Sequence, residues 1–301
     1  MSMILCNAPS DKQGKQQRGA RLPARPARVV LRRDHSAGAE RLAVTYAGAV
    51  AGLELACGGR ILASGSWRCE VLDDGRPARP AGAWQSTCRT SDADVDYLEL
   101  ALPLTGGLHI QRHLVLARKD RFLLLADAVL GTHAARLTYR GFLPLGPGIA
   151  LRRAGPTREA FLAAADSRQP GKRLAAILPL ALPEWRCDRQ VGELSAGREG
   201  MELRQTLGGG RLLAPLWFDL DPGRLHRRRT WRQLTVAESL AIQPAAVAVG
   251  YRVAVGSRQW LVYRSLARKR NRSVLGHNLA TETLVARFRR DGEVESIIEI
   301  E

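Results

Sequence analysis

The chain has 301 residues, 45% of them hydrophobic, which excludes a chain disordered throughout and leaves room for one large β domain or two ordinary ones. Its net charge of +17 raises the question of an acidic polymer as partner. The basic residues are nearly all Arg, with lysine only at Lys12, Lys15, Lys119, Lys172 and Lys269, in a composition also rich in Ala and Gly. GC-rich coding produces the same bias, so charge alone does not identify a ligand.

Residues 1 to about 27 are polar, basic and without apolar periodicity, and predict a flexible tail ahead of one domain over residues 28–301. Cys6, Cys57, Cys69, Cys88 and Cys187 are odd in number and scattered, with no C-x-x-C. They read as reduced thiols, hence a cytoplasmic protein. No run approaches the roughly 20 apolar residues of a membrane span. The nearest, RLAAILPLALPEW, is broken by Pro179 and Pro183.

From Val29 onward short apolar stretches alternate with turn residues, the pattern of an all-β domain. Asp74-Gly75, Gly256-Ser257 and Asp291-Gly292 supply the positive φ that tight hairpins need. In SDADVDYLE the spacing of Asp92, Asp94 and Asp96 suits the start of a calcium loop, but that loop's sixth and twelfth positions are Tyr97 and Pro103 rather than Gly and Glu. An acidic turn before a strand is the better reading.

In HIQRHLVLARKDRFLLLADAV, residues 109–129, two apolar runs flank the polar RKDR and predict a hairpin. On a strand His109 and His113 lie about 13 Å apart and cannot share a metal ion. A turn centred between Lys119 and Asp120 opposes Leu116 to Leu123, Leu114 to Leu125 and Arg112 to Asp127. Asp127 then anchors the hairpin through a bidentate ion pair. A three-residue loop would oppose Asp127 to His113 instead, which suits base catalysis.

TREAFLAAADSR (157–168) predicts one short helix capped by Thr157. TWRQLTVAESLA also admits a helix, although its flanks favour a strand over residues 231–238. LGGGR (207–211) has no following Lys-Ser or helix and reads as a turn. Near the C-terminus, Gly256-Ser257 predicts a type II′ hairpin with Val253 facing Trp260 and Tyr251 facing Val262. Asp291-Gly292 predicts a type I′ hairpin with Arg290 facing Glu293 and Ala286 facing Ile297.

Aromatic–Arg dipeptides recur, among them Trp67-Arg68, Trp185-Arg186, Trp231-Arg232 and Tyr263-Arg264. Strand neighbours point to opposite faces, so the plain reading is an aromatic inside and an Arg outside. Arginines of different strands can still converge. The binding candidates are Trp185, Arg186, Trp231, Arg232, Arg264, Arg268 and Arg272, in and around the basic runs GRLHRRRTWR and RSLARKRNR. No nucleophile elbow, phosphate loop, dinucleotide fingerprint or zinc-spaced cluster occurs, and no catalytic residue, metal or cofactor is assigned.

LELACGGRILASGSW (53–67) and DVDYLELALPLTGGLHIQRHLVLARKDRFLLLADAV (94–129) carry a resemblance. An Arg-bearing strand, a short charged turn and an apolar strand ending in Asp-x-Val resemble the C-terminal β-sandwich domain of heparinase II/III-like polysaccharide lyases. The resemblance implies a large antiparallel two-layer sandwich, supersandwich-like, with at most one or two short helices. Those lyases carry their main catalytic residues on an N-terminal helical toroid, for which this chain has no room, and their sandwich can hold zinc in a His-x-His-type segment absent here. It therefore implies a free-standing, non-catalytic sandwich associated with polysaccharide, an acidic glycan by its charge. A nucleic-acid or other polyanion binder, or a lyase-like enzyme drawing Tyr, His and Arg from separate strands, are the alternatives.

Overall fold

The structure, a computed structural model, describes residues 26–165, 169–187, 192–197, 200–289 and 292–301. Every strand pairing is antiparallel, and helical structure is confined to the single 3₁₀ turns Thr105–Gly107 and Pro222–Arg224 among the described residues. The first strand begins at Ala27. Of the tail predicted over residues 1 to about 27, residues 1–25 lie outside the described residues.

An eight-stranded sheet forms the centre. Its strand order is Ile149–Arg153, Ala160–Ala164, Arg173–Pro179, Arg211–Asp219, Phe122–Leu130, His109–Ala117, Val95–Pro103 and Gln85–Ser91. Alternation along these strands sorts their side chains. Leu98, Leu100, Leu114, Leu116, Leu123 and Leu125 lie on one face, Tyr97, Val115, Phe122, Leu124 and Trp217 on the other. The leucine face meets two sheets. One is the four-stranded meander Ala27–Arg32, Arg41–Ala47, Val50–Cys57 and Arg60–Ser66. The other has five strands, Gly192–Gly197, Gly200–Gly208, Arg136–Pro144, Arg68–Asp73 and Arg76–Ala78.

The aromatic face packs on a second five-stranded sheet, ordered Arg229–Leu234, Ala248–Val255, Arg258–Ser265, Thr283–Phe288 and Val294–Ile300. The far side of that sheet, through Leu261, Tyr263 and Leu284, is covered by a small sheet of Ala241–Ile242, Val236–Glu238, Arg272–Val274 and His277–Leu279. The expected sandwich is present, with more than two layers, so two of its sheets are buried on both faces.

This layering explains where sequence patterning misleads. Residues 157–168 are not a helix: Ala160–Ala164 is a strand buried at every position, and residues 166–168 lie outside the described residues. A strand covered on both faces carries a continuous apolar run with no period of two, and Ala-rich composition then mimics a helix. Residues 231–238 are strand, broken at Thr235, where the chain passes from the five-stranded sheet to the small one.

Registers follow the turns. Gly256-Ser257 closes its hairpin with Val255 opposite Arg258, Val253 opposite Trp260 and Tyr251 opposite Val262. Gly256 has φ +58, as a type II′ turn requires. The last hairpin differs from expectation. Ala286 faces Ser296 rather than Ile297, and the register shifts by one between Val285 and Ala286. Arg290 and Asp291 lie outside the described residues. LGGGR is a turn that carries the chain from the first five-stranded sheet into the central sheet, and at Gly210 (φ +73) a Cβ would sit 1.8 Å from the His133 carbonyl oxygen, so only glycine fits. Cys57, Cys69 and Cys187 are free thiols, whereas Cys88 is disulfide-bonded, which corrects the reading of five reduced thiols. No helix among the described residues is long and apolar enough to cross a membrane.

Candidate functional site

The hairpin of residues 109–130 adopts the ion-pair register: Arg112 faces Asp127, and His113 faces Ala126. Arg112 donates from Nε to Asp127 Oδ1 at 2.7 Å and from Nη2 to Oδ2 at 2.8 Å. The Tyr139 hydroxyl donates to Oδ2 at 2.7 Å. Arg112 and Asp127 are fully enclosed, so the pair anchors the core and meets no solvent.

His113 joins a second buried cluster. Its Nδ1 lies 2.9 Å from the Tyr97 hydroxyl, which donates to Glu99 Oε2 at 2.8 Å, while Thr87 donates to Glu99 Oε1 at 2.7 Å. Burial, with the Arg264 cation nearby, pushes the His113 pKa well below its ordinary value, and burial pushes Tyr97 well above its own. A Tyr and a Glu of one strand, Val95–Pro103, therefore converge with a His of its neighbour, His109–Ala117. With Tyr97 1% and His113 3% exposed, the cluster meets no substrate in this state. Among the described residues no group of three or more His, Cys, Asp or Glu side chains is placed to hold a metal ion.

Several arginines offered as binding candidates are internal. Arg264 reaches Thr283 Oγ1 at 2.6 Å, Glu282 at 2.5 Å and Gln111, and is 2% exposed. Arg272, also 2% exposed, bonds Glu238 at 3.0 Å, Ser265 Oγ at 2.7 Å and the Arg268 carbonyl at 3.0 Å. Trp231 is core as well. Its indole donates to the Leu182 carbonyl at 2.8 Å. Arg232 and Arg268 are exposed but apart from any enclosed surface described below.

Trp185 and Arg186 stand differently. Trp185 is the one exposed aromatic among the described residues, at 52%. The loop bearing it is held from beneath. Buried Arg158 donates to the Pro183 carbonyl at 2.9 Å and to the Trp185 carbonyl, the Arg158 amide donates to the Glu184 carbonyl at 2.8 Å, and Trp231 holds Leu182. Beside this loop opens a cleft of about 710 Å³ between two sheet edges, Ile149–Arg153 of the central sheet and Gly192–Gly197 of the sheet facing it.

Among the described residues the cleft is lined by Arg152, Arg153, Arg158 and Arg186, with Glu193 as its carboxylate. Glu193 Oε1 is shared by Arg153 Nη1 at 2.5 Å and Arg186 Nη1 at 3.0 Å. Arg186 also donates from Nε to the Thr157 carbonyl at 2.8 Å, while its Nη2 is buried with no partner among the described residues. Arg152 is exposed, with no partner shown among the described residues. An orphaned guanidinium N–H in a cleft where arginines outnumber carboxylates among the described residues suits a carboxylate or sulfate oxygen. Sequence reading found Trp185 and Arg186 but missed Arg152, Arg153 and Arg158. Their one signal is the arginine bracket around the Gly-Pro turn in LRRAGPTR, visible in the sequence but without a period.

No family model matches the sequence, and no curated protein matches it. Solved structures do match. The heparan sulfate lyase HepC of Pedobacter heparinus is 11% identical with a TM-score of 0.51, over 80% of this chain and 41% of that one. The heparinase III-BT4657 gene product is 8% identical with a TM-score of 0.51, over 78% and 40%. A further heparinase III is 9% identical with a TM-score of 0.50, over 79% and 41%. The chain thus spans about two fifths of the length of these lyases. It shares their fold over that part, in line with the sequence resemblance.

Proposed function

We propose that this chain is a non-catalytic β-sandwich that binds an acidic polysaccharide in the cleft beside Trp185. The observation that carries the reading is the Arg186 Nη2, unpartnered among the described residues, in a cleft whose described lining holds more arginines than carboxylates. Trp185 offers an exposed ring face for a sugar, and the arginines offer forked donors to uronate or sulfate oxygens. The fold shared with lyases of acidic glycans supports the substrate class. Enclosure of Tyr97 and His113 favours binding over lyase chemistry. A nucleic-acid ligand is the second reading, favoured only by the surplus of positive charge.

The test is a binding titration of the full chain with a polyuronate, a neutral dextran and duplex DNA, each at two salt concentrations. The polyuronate is expected to bind with salt-dependent affinity and the dextran not to bind. Arg152→Ala and Trp185→Ala are expected to weaken polyuronate binding about tenfold each, on the scale of one lost contact. Unchanged affinity in both variants, with unchanged melting temperatures, would refute the cleft as the site. DNA binding as tight as polyuronate at both salts would refute the glycan reading.

A further inference from the structure

A second cavity, of about 790 Å³, opens where the four-stranded meander and the first five-stranded sheet meet, with Leu102 and Ile110 of the central sheet among the residues that close it. Trp67 and Trp84 line it. Both rings clamp the Arg112 guanidinium, whose carbon lies 3.6 Å from one ring centroid and 4.6 Å from the other. Arg112 is in turn fixed by Asp127 and by the Trp67 carbonyl at 3.3 Å, and the Trp84 indole donates to the Ala49 carbonyl at 3.2 Å. The aromatic wall is therefore locked before any ligand arrives, which lowers the ordering cost of binding.

Among the described residues the charges at the mouth cancel. Arg68, Glu70 and Glu202 line it, and Arg140 reaches Glu70 at 3.5 Å and Glu202 at 3.0 Å, so two cations meet two anions. Among the described residues the mouth shows no surplus of either sign, in contrast to the basic cleft. Of the lining side chains, Val50 is 64% exposed and Met201 is buried, so an apolar wall runs from surface to floor. The volume falls within the roughly 300–1,000 Å³ of small-molecule sites, which are mostly apolar with a few polar groups.

We propose that this cavity is a second binding site, for a neutral and largely apolar small molecule, an aryl or alkyl group seated against Trp67 and Trp84. It is independent of the glycan cleft. The probe is N-phenyl-1-naphthylamine, a neutral dye that brightens in apolar surroundings, titrated into the full chain. The expected result is saturable binding of one dye per chain, insensitive to salt and unchanged by Arg152→Ala. Val50→Trp narrows the mouth from an exposed position, and Ala78→Trp fills it from the edge strand Arg76–Ala78. Each is expected to weaken the dye about tenfold or more while the melting temperature holds. Absence of saturable binding overturns the proposal. So does unchanged affinity in whichever filling variant retains its fold.

Discussion

Asp127→Ala tests whether the buried hairpin pair holds the fold as the geometry requires. Asp127 accepts three hydrogen bonds, two from Arg112 and one from Tyr139, and none of its side chain is exposed. Alanine leaves the guanidinium enclosed between two tryptophans, with only the Trp67 carbonyl and the Cys69 sulfur as acceptors. Hydrogen bonds to charged groups contribute about 1.5–3 kcal/mol each, but much of that offsets desolvation already incurred. Breaking one buried ion pair costs about 3–5 kcal/mol, and that range is expected here. At roughly 2–4 °C per kcal/mol for a domain of this size, the melting temperature falls by about 6–20 °C. Urea unfolding followed by tryptophan fluorescence reads the change. The double variant Arg112→Met, Asp127→Leu removes both charges and should recover most of the loss, since an apolar pair leaves no buried ion behind. A loss under about 1 kcal/mol in Asp127→Ala, or a double variant no more stable than the single, would refute the reasoning.

Trp260→Ala should cost about 3–5 kcal/mol, because Trp260 meets Phe122 edge-on and Trp217 at a tilt and its indole donates to Asp120 at 3.0 Å; a thermal melt within 2 °C of the parent, about 1 kcal/mol or less, would contradict that. Gly210→Ala should lose at least about 1 kcal/mol in urea unfolding from its positive φ and the His133 carbonyl. His113, enclosed with Tyr97, Glu99 and Arg264, has its folded pKa depressed by burial, so below the ordinary value near 6.5 the unfolded chain binds a proton that the folded chain refuses. Stability should therefore fall as pH drops below about 6.5, by up to about 1.4 kcal/mol per pH unit, and His113→Gln should flatten that slope in unfolding curves at pH 7, 6 and 5.

Turn chemistry was the most legible signal. Gly256-Ser257 and RKDR each specify a register because one slip would turn a leucine row, or the Arg112–Asp127 pair, to the wrong face. The register shift between Val285 and Ala286 had no such marker, since Ile297 and Ile298 serve the core equally well. The inside–outside rule for aromatic–Arg pairs holds at Trp67-Arg68 and Trp231-Arg232 and fails at Trp185-Arg186, where the ring is exposed, and at Tyr263-Arg264, where both side chains are buried. That strand lies in a sheet covered on both faces, so an arginine opposite an aromatic has no solvent to reach and must find Thr283, Glu282 and Gln111. Layer number is a property of how sheets stack, and no local pattern along one strand encodes it. The cleft was half visible for a related reason: Arg152 lies on an edge strand of the central sheet and Arg186 in the loop after Arg173–Pro179, and only the fold brings them to one cleft.

The charge surplus now has a location. Among the described residues the buried arginines are Arg112, Arg158, Arg224, Arg229, Arg264 and Arg272, and the buried carboxylates are Glu40, Asp96, Glu99, Asp120, Asp127 and Asp219, six against six. The enclosed charges balance, so the +17 belongs to the remaining residues, the partly and fully exposed ones included. A diffuse positive surface attracts any polyanion and loses affinity with salt for DNA and polyuronate alike. It cannot by itself rank the two. A preference for glycan has to come from contacts that a phosphate backbone does not use, and the candidate is exposed Trp185, next in the chain to the cleft residue Arg186, its loop fixed by Arg158 and Trp231. Removing that ring should leave the salt slope in place, because the cations remain, while erasing the difference between polyuronate and DNA. Removing Arg152 should lower the slope for both. The two variants thus separate the field that the composition supplies from the recognition that the fold supplies.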